Sequence, residues 1–147
     1  MSKVLINSQW FVALYLLVTI VVNAGDYTYT TNSDGSLTIT DYTGPGGVVT
    51  IPSVIDGRTV THIGDWALSG GWFIPEFYLT SVTIPDSITS IGRAAFYSDK
   101  TLTNVMIGTG VTNIGTQAFY DCWSLPSITI PNSVTSIAGD AFGGAPA

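Results

Sequence analysis

Leu79, Leu102 and Leu125 stand 23 residues apart, and the segments they open align without a gap. Residues 79–101 read LTSVTIPDSITSIGRAAFYSDKT, 102–124 LTNVMIGTGVTNIGTQAFYDCWS and 125–147 LPSITIPNSVTSIAGDAFGGAPA. A fixed period of this length restricts the chain to stacked units, because one unit cannot bury its apolar side alone and needs its neighbour to do so. In a stack, each position of one unit meets the same position of the next. The repeat therefore predicts columns of like residues running through the molecule.

Four apolar columns are predicted to form the core: Val82/Val105/Ile128, Ile84/Ile107/Ile130, Ile88/Val111/Val134 and Ile91/Ile114/Ile137. Thr83, Met106 and Thr129 alternate with the first two and should face solvent, the period-two pattern of a strand with one buried face. β-branched residues dominate these segments, which favours strand. Pro85-Asp86-Ser87 and Pro131-Asn132-Ser133 are turn sequences, and Gly108-Thr109-Gly110 takes their place in the middle unit. A second short strand follows, ending at the Ile91/Ile114/Ile137 column. Gly92 and Gly115 then turn the chain into RAAF, TQAF and GDAF. There Ala95, Ala118 and Ala141 suit crowded positions, and Phe96, Phe119 and Phe142 should fill the interior. This last segment reads as one helical turn. The predicted fold is a β-rich solenoid of right-handed coils of about 23 residues, with short parallel strands and one helical turn per coil.

The units do not cover the whole chain. VTIP at 49–52 matches 82–85, and IGDWAL at 63–68 matches IGRAAF at 91–96. Residues 46–78 thus form a degenerate first coil carrying two insertions, one around Asp56-Gly57 and one within SGGWFIPEFY (69–78). Upstream, residues 25–45 contain YTYTTNSDGSLTITDY, a β-hairpin with Asn32-Ser33-Asp34-Gly35 at its tip, placed to cap the open end of the stack. Residues 1–24 read as a secretory signal peptide: Lys3, an apolar run from Trp10 to Val22, then small residues around Ala24. That run is too short to span a bilayer, so no stable membrane span is expected after cleavage. The C-terminal unit ends at Ala147 without a polar cap, from which a fragment of a longer array or end-to-end self-association is expected.

The signature Leu79, Ile84-Pro85, Ile91-Gly92 and Ala95-Phe96 resembles the leucine-rich repeat of the BspA type. The third unit departs from it with Ala138 for the glycine, and the signature's cysteine place is filled only by Cys122. The resemblance implies an N-terminally capped leucine-rich-repeat solenoid. It implies a secreted or cell-surface protein used for adhesion or protein binding, and it implies neither enzyme activity nor a cofactor. A structural segment opening a longer repeat array, or part of a multidomain surface protein, is the alternative.

Composition narrows the function further. The net charge is −6 and charged residues make up 10 % of the chain, which excludes a basic nucleic-acid surface. One histidine, His62, and one cysteine, Cys122, allow no zinc cluster and no Cys/His pair, and Cys122 sits in a repeat column as a core thiol. NSDGS lacks the further ligands of a calcium loop. Thr89, Thr112 and Thr135 form a regular outward column of the kind that can order water. The stronger signal is aromatic. Trp72, Phe73 and Tyr78 crowd the second insertion, and Tyr97, Tyr120 and Trp123 are expected on the same flank. Together they make either a cover for the core or a recognition surface for an extracellular protein or glycan.

Overall fold

The structure, a computed structural model, describes residues 24–70 and 78–144. The predicted signal peptide, apart from Ala24, and most of the second insertion lie outside the described residues. A short 3-10 turn (Ala24–Asp26) leads into β1 (Tyr27–Thr31) and β2 (Leu37–Tyr42). Then come β3 (Gly47–Thr50), β4 (Val54–Ile55), β5 (Arg58–Ile63), β6 (Leu79–Ile84), β7 (Ser90–Ile91), β8 (Asn104–Ile107), β9 (Asn113–Ile114) and β10 (Ser136–Ile137). One sheet runs β1-β2-β5-β7-β9-β10, with β4 on β5, and the other runs β3-β6-β8.

Like residues do meet like. β6 pairs parallel with β8 as Val82↔Val105 and Ile84↔Ile107, β7 with β9 as Ile91↔Ile114, and β9 with β10 as Ile114↔Ile137. The degenerate first coil joins in the register that its VTIP and IGDWAL matches imply, Val49↔Val82 and Ile63↔Ile91. Its first insertion is a hairpin: β4 and β5 are antiparallel, and Asp56 (φ 50) and Gly57 (φ 74) make the two-residue turn. The N-terminal hairpin is antiparallel as well, and its β2 lies parallel against β5. At its tip the Asp34 carboxylate accepts the Ser36 N–H (2.9 Å) and hydroxyl (2.7 Å), which holds its pKa below the ordinary carboxylate value.

The interior is a column of aromatic rings. Phe96 and Phe119 stack with centroids 5.0 Å apart and planes 3° apart, and Phe119 and Phe142 repeat this at 5.5 Å and 2°. Val82, Ile84, Ile88, Ile91, Val111 and Ile114 are buried around them. Towards the last coil burial fades: Ile107, Ile128, Ile130 and Val134 are half-buried, and Ile137 is 49 % exposed. Ile107 therefore does not belong to the fully buried column that its alternation suggests. Thr83, expected at the surface, is half-buried.

Two expectations are corrected. No helical turn forms after the glycines. Trp66, Ala94, Gln117 and Asp140 adopt left-handed φ of 63°, 52°, 59° and 55°, and Ser98 and Asp121 do so again four residues after Ala94 and Gln117. Left-handed residues at this spacing cannot continue an α-helix. Alternate N–H groups instead reach the next coil: Ala94 to Thr116, Phe96 to Ala118 and Ser98 to Tyr120, then Gln117 to Gly139, Phe119 to Ala141 and Asp121 to Gly143. The segment is thus a third hydrogen-bonded ladder. Second, the third coil forms no strand at 127–130, and β8 remains an edge. Thr80 and Thr103 are followed in the repeat by Pro126. Thr103 N–H bonds to the Thr80 carbonyl at 2.9 Å, and Pro126 has no N–H for the equivalent bond to Thr103.

Close approach explains the middle turn. A Cβ on Gly108 would lie 2.5 Å from Pro85 backbone, and one on Gly110 would lie 1.9 Å from the Asp86 carbonyl oxygen. Gly108-Thr109-Gly110 thus fits beneath Pro85-Asp86-Ser87 only because it lacks side chains there. Thr109 closes the contact, its N–H donating to Asp86 Oδ1 at 2.6 Å.

Candidate recognition surface

The left-handed turns decide what reaches the flank. In AAFY and QAFY, the left-handed residue is followed by a buried Ala, then an inward Phe. The next residue, Tyr97 or Tyr120, points outward. Because the N–H groups on either side are locked into the ladder, the two tyrosines repeat almost without rotation. Their rings stack at 5.4 Å with planes 7° apart. On the C-terminal side the same position is Gly143, where a Cβ would come within 2.7 Å of the Tyr120 ring. On the other side Trp66 leans onto Tyr97, with ring centroids 5.3 Å apart and planes 52° apart. Trp66 is 47 % exposed, and both tyrosines are half-buried.

Trp66 is the functional candidate that sequence reasoning misses. In the repeat it occupies the place of Ala94, a buried residue, so alignment offers no reason to place it beside Tyr97. The usable signal was its size: a tryptophan where the other coils carry Ala, Gln and Asp cannot fit the same space. Of the residues expected on this flank, the structure brings together Tyr97 and Tyr120. Tyr78 is 49 % exposed at the start of the second sheet, where its carbonyl accepts the Gly47 N–H and its backbone crowds Gly46. Trp123 is 60 % exposed. Among the described residues no ring contact joins Tyr78 or Trp123 to the ladder. Trp72 and Phe73 lie outside the described residues.

The other candidates resolve into structural duties. The Thr89, Thr112 and Thr135 hydroxyls do not stand free: each donates to the carbonyl of the threonine one coil before, Thr61, Thr89 and Thr112, at 3.1, 3.1 and 3.2 Å, beside an N–H bond to the same carbonyl. His62 pairs in register with Ser90, and its Nδ1 lies 2.8 Å from Thr61 Oγ1. Cys122 is fully buried, donates to the Phe96 carbonyl at 3.1 Å, and has its thiol pushed up to about 12, chiefly by burial. Among the described residues no group of three His, Cys, Asp or Glu side chains converges to hold a metal, and no helix is long and apolar enough to cross a membrane.

A family model described as BspA type leucine rich repeat region matches residues 68–146 in 6 copies. Among solved structures, a leucine-rich repeat protein from Bacteroides capillosus is 33 % identical, with 84 % of this chain and 91 % of that chain covered and a TM-score of 0.73. A leucine rich cell surface protein from Faecalibacterium prausnitzii is 40 % identical over 80 % of this chain, with a TM-score of 0.69. The match spans 32 % of that protein's length. A leucine-rich repeat protein from T. pallidum is 28 % identical, with 82 % of this chain and 65 % of that chain covered and a TM-score of 0.66. No curated protein sequence matches the chain.

Proposed function

Because the chain belongs to the BspA-type leucine-rich repeat family, we propose that it is a secreted or cell-surface module that binds an extracellular protein, without catalysis, through the aromatic flank of a right-handed solenoid. The observation that carries this reading is the ladder Trp66–Tyr97–Tyr120, three aromatic side chains at about 5 Å spacing on one partly exposed strip. The core does not require them, since Phe96 and Phe119 already fill the interior. Held rings supply contact area at little cost in side-chain entropy, which is why aromatics dominate protein recognition surfaces. The cell-surface relative from Faecalibacterium supports the extracellular setting. Tyr97 and Tyr120 stack on one another and Trp66 leans on Tyr97, so ring faces are covered by neighbouring rings. That geometry suits a protein surface better than a sugar, which needs a free ring face.

A second reading, a structural segment of a longer array, is favoured by the small share of the Faecalibacterium protein that the chain spans. One experiment separates the two. A Trp66→Ala/Tyr97→Ala/Tyr120→Ala variant and a Val48→Ser control, both confirmed folded by circular dichroism, are compared with wild type on immobilised extracellular proteins and on a glycan array. The binding reading expects at least tenfold weaker protein binding for the triple variant alone. Unchanged binding would remove the flank from recognition, and absence of any binding by the wild type would leave the structural role.

A further inference from the structure

The third coil is attached on two of its three ladders and free on the other. β10 pairs with β9, Thr135 and Ala138 donate to Thr112 and Ile114, and the Phe142 ring stacks on Phe119. Residues 127–130, which repeat the sequence of β6 and stand 23 residues after β8, carry no strand pairing among the described residues. Between the free edge of β8 and this segment lies an open slot of about 420 Å³, lined by Asn104, Val105, Met106, Ile107, Thr129 and Pro131 among others. Ile128 and Ile130 are nevertheless half-buried and packed against the core. The side chains are seated while the backbone is not.

From this juxtaposition we propose that Ser127–Pro131 is a strap that moves between the open position and a closed one, where it becomes the fourth strand of the β3-β6-β8 sheet, and that Pro126 holds it open. The two other coils show what closing needs. Thr103 donates both its N–H and its hydroxyl to the Thr80 carbonyl, each at 2.9 Å, and so starts the β6–β8 ladder. Pro126 supplies neither donor, so the first rung onto Thr103 is missing and the segment leaves at that point. The remaining rungs lose nothing in sequence, because Ser127–Ile130 keeps the alternation of β6. The occupant of the slot is therefore already present in the chain. When the strap is open, β8 offers an unpaired strand edge; when it closes, that edge is covered. This inference is independent of the aromatic flank, which lies on another side of each coil.

Two readouts on the full chain test it. The first is amide hydrogen exchange at Ser127–Ile130 in wild type and Pro126→Thr. Weak protection is expected in wild type, with at least tenfold slower exchange at alternate residues of this segment in the variant. The second is oxidative cross-linking of Met106→Cys/Thr129→Cys, positions that both line the slot and become direct cross-strand partners when the strap adopts the 23-residue register of β6 and β8. Adjacent strands bring such Cα atoms within disulfide range, and fully buried Cys122 does not compete. The cross-link should form in the wild-type background and form faster with Pro126→Thr. Exchange that is unchanged by Pro126→Thr in a folded protein overturns the role of Pro126. Failure to cross-link in either background overturns the closed state. Wild-type exchange as slow as that of β6 overturns the open one.

Discussion

Asp99 should make the protein less stable as the pH rises from acid towards neutral, which is the opposite of the usual carboxylate effect. The residue is 1 % exposed, and its Oδ2 atom is buried without a hydrogen-bond partner among the described residues. Burial pushes its carboxyl well above the ordinary value. The folded pKa therefore exceeds the unfolded one, which is about 3.9. Below the unfolded value both states hold the proton and the contribution to stability is complete. Between the two values the folded state holds the proton and the unfolded state has lost it, so stability falls with rising pH by about 1.4 kcal/mol per unit. Above the folded value the loss is complete.

The control is written in the repeat. Cys122 stands at the position of Asp99 one coil later, fully buried, with its thiol satisfied by the Phe96 carbonyl. Asp99→Cys thus copies a solution that the stack already accepts. Urea unfolding followed by tryptophan fluorescence at pH 4, 5, 6 and 7 gives the stability difference between wild type and variant, in which the surface carboxylates cancel. The variant should gain on wild type by about 1.4 kcal/mol per unit above pH 4 until the curve flattens. A difference independent of pH, or a wild type that gains on the variant as the pH rises, would refute the argument.

Phe119→Ala should destabilise by about 3–5 kcal/mol, because the ring is 1 % exposed and lies between Phe96 and Phe142; half-buried Phe142 should lose clearly less, and equal losses in chemical denaturation would contradict the fading burial of the last coil. Gly110→Ala should cost about 1–3 kcal/mol, since its Cβ would stand 1.9 Å from the Asp86 carbonyl oxygen and backbone must give way; an unchanged melting temperature would show that the turn is not in close contact.

The columns were legible because a stack converts sequence period into spatial contact. Val82, Val105, Ile91 and Ile114 needed only that one premise to be paired correctly. The degenerate first coil was legible for the same reason, once Asp56-Gly57 was read as a turn. What the pattern concealed was backbone chemistry. LPSITI differs from LTNVMI by changes that look mild on a hydrophobic template, yet Pro126 removes the donor on which the ladder depends. RAAF and TQAF suit a helix by composition, but left-handed Ala94 and Gln117 divert their N–H groups to the next coil. Trp66 was concealed because its column otherwise holds small or polar residues, Ala94, Gln117 and Asp140, which give no sign of an exposed ring at that place.

The three ladders also limit where recognition can evolve on such a stack. The Val and Ile columns are committed to the core, and the outward threonines at 89, 112 and 135 are committed by both N–H and hydroxyl to the coil before. A change at either set costs packing or a hydrogen bond in every neighbouring coil. The residue after each inward Phe has no such duty. It occurs as Tyr97, Tyr120 and Gly143, so this position accepts a large change in size, and the ladder around it persists through Asp121 N–H and the Gly143 carbonyl when the ring is absent. A position that can vary without disturbing the stack, and that is filled by stacked aromatics where a third ring joins from another coil, is where a binding surface is least constrained by the fold that presents it.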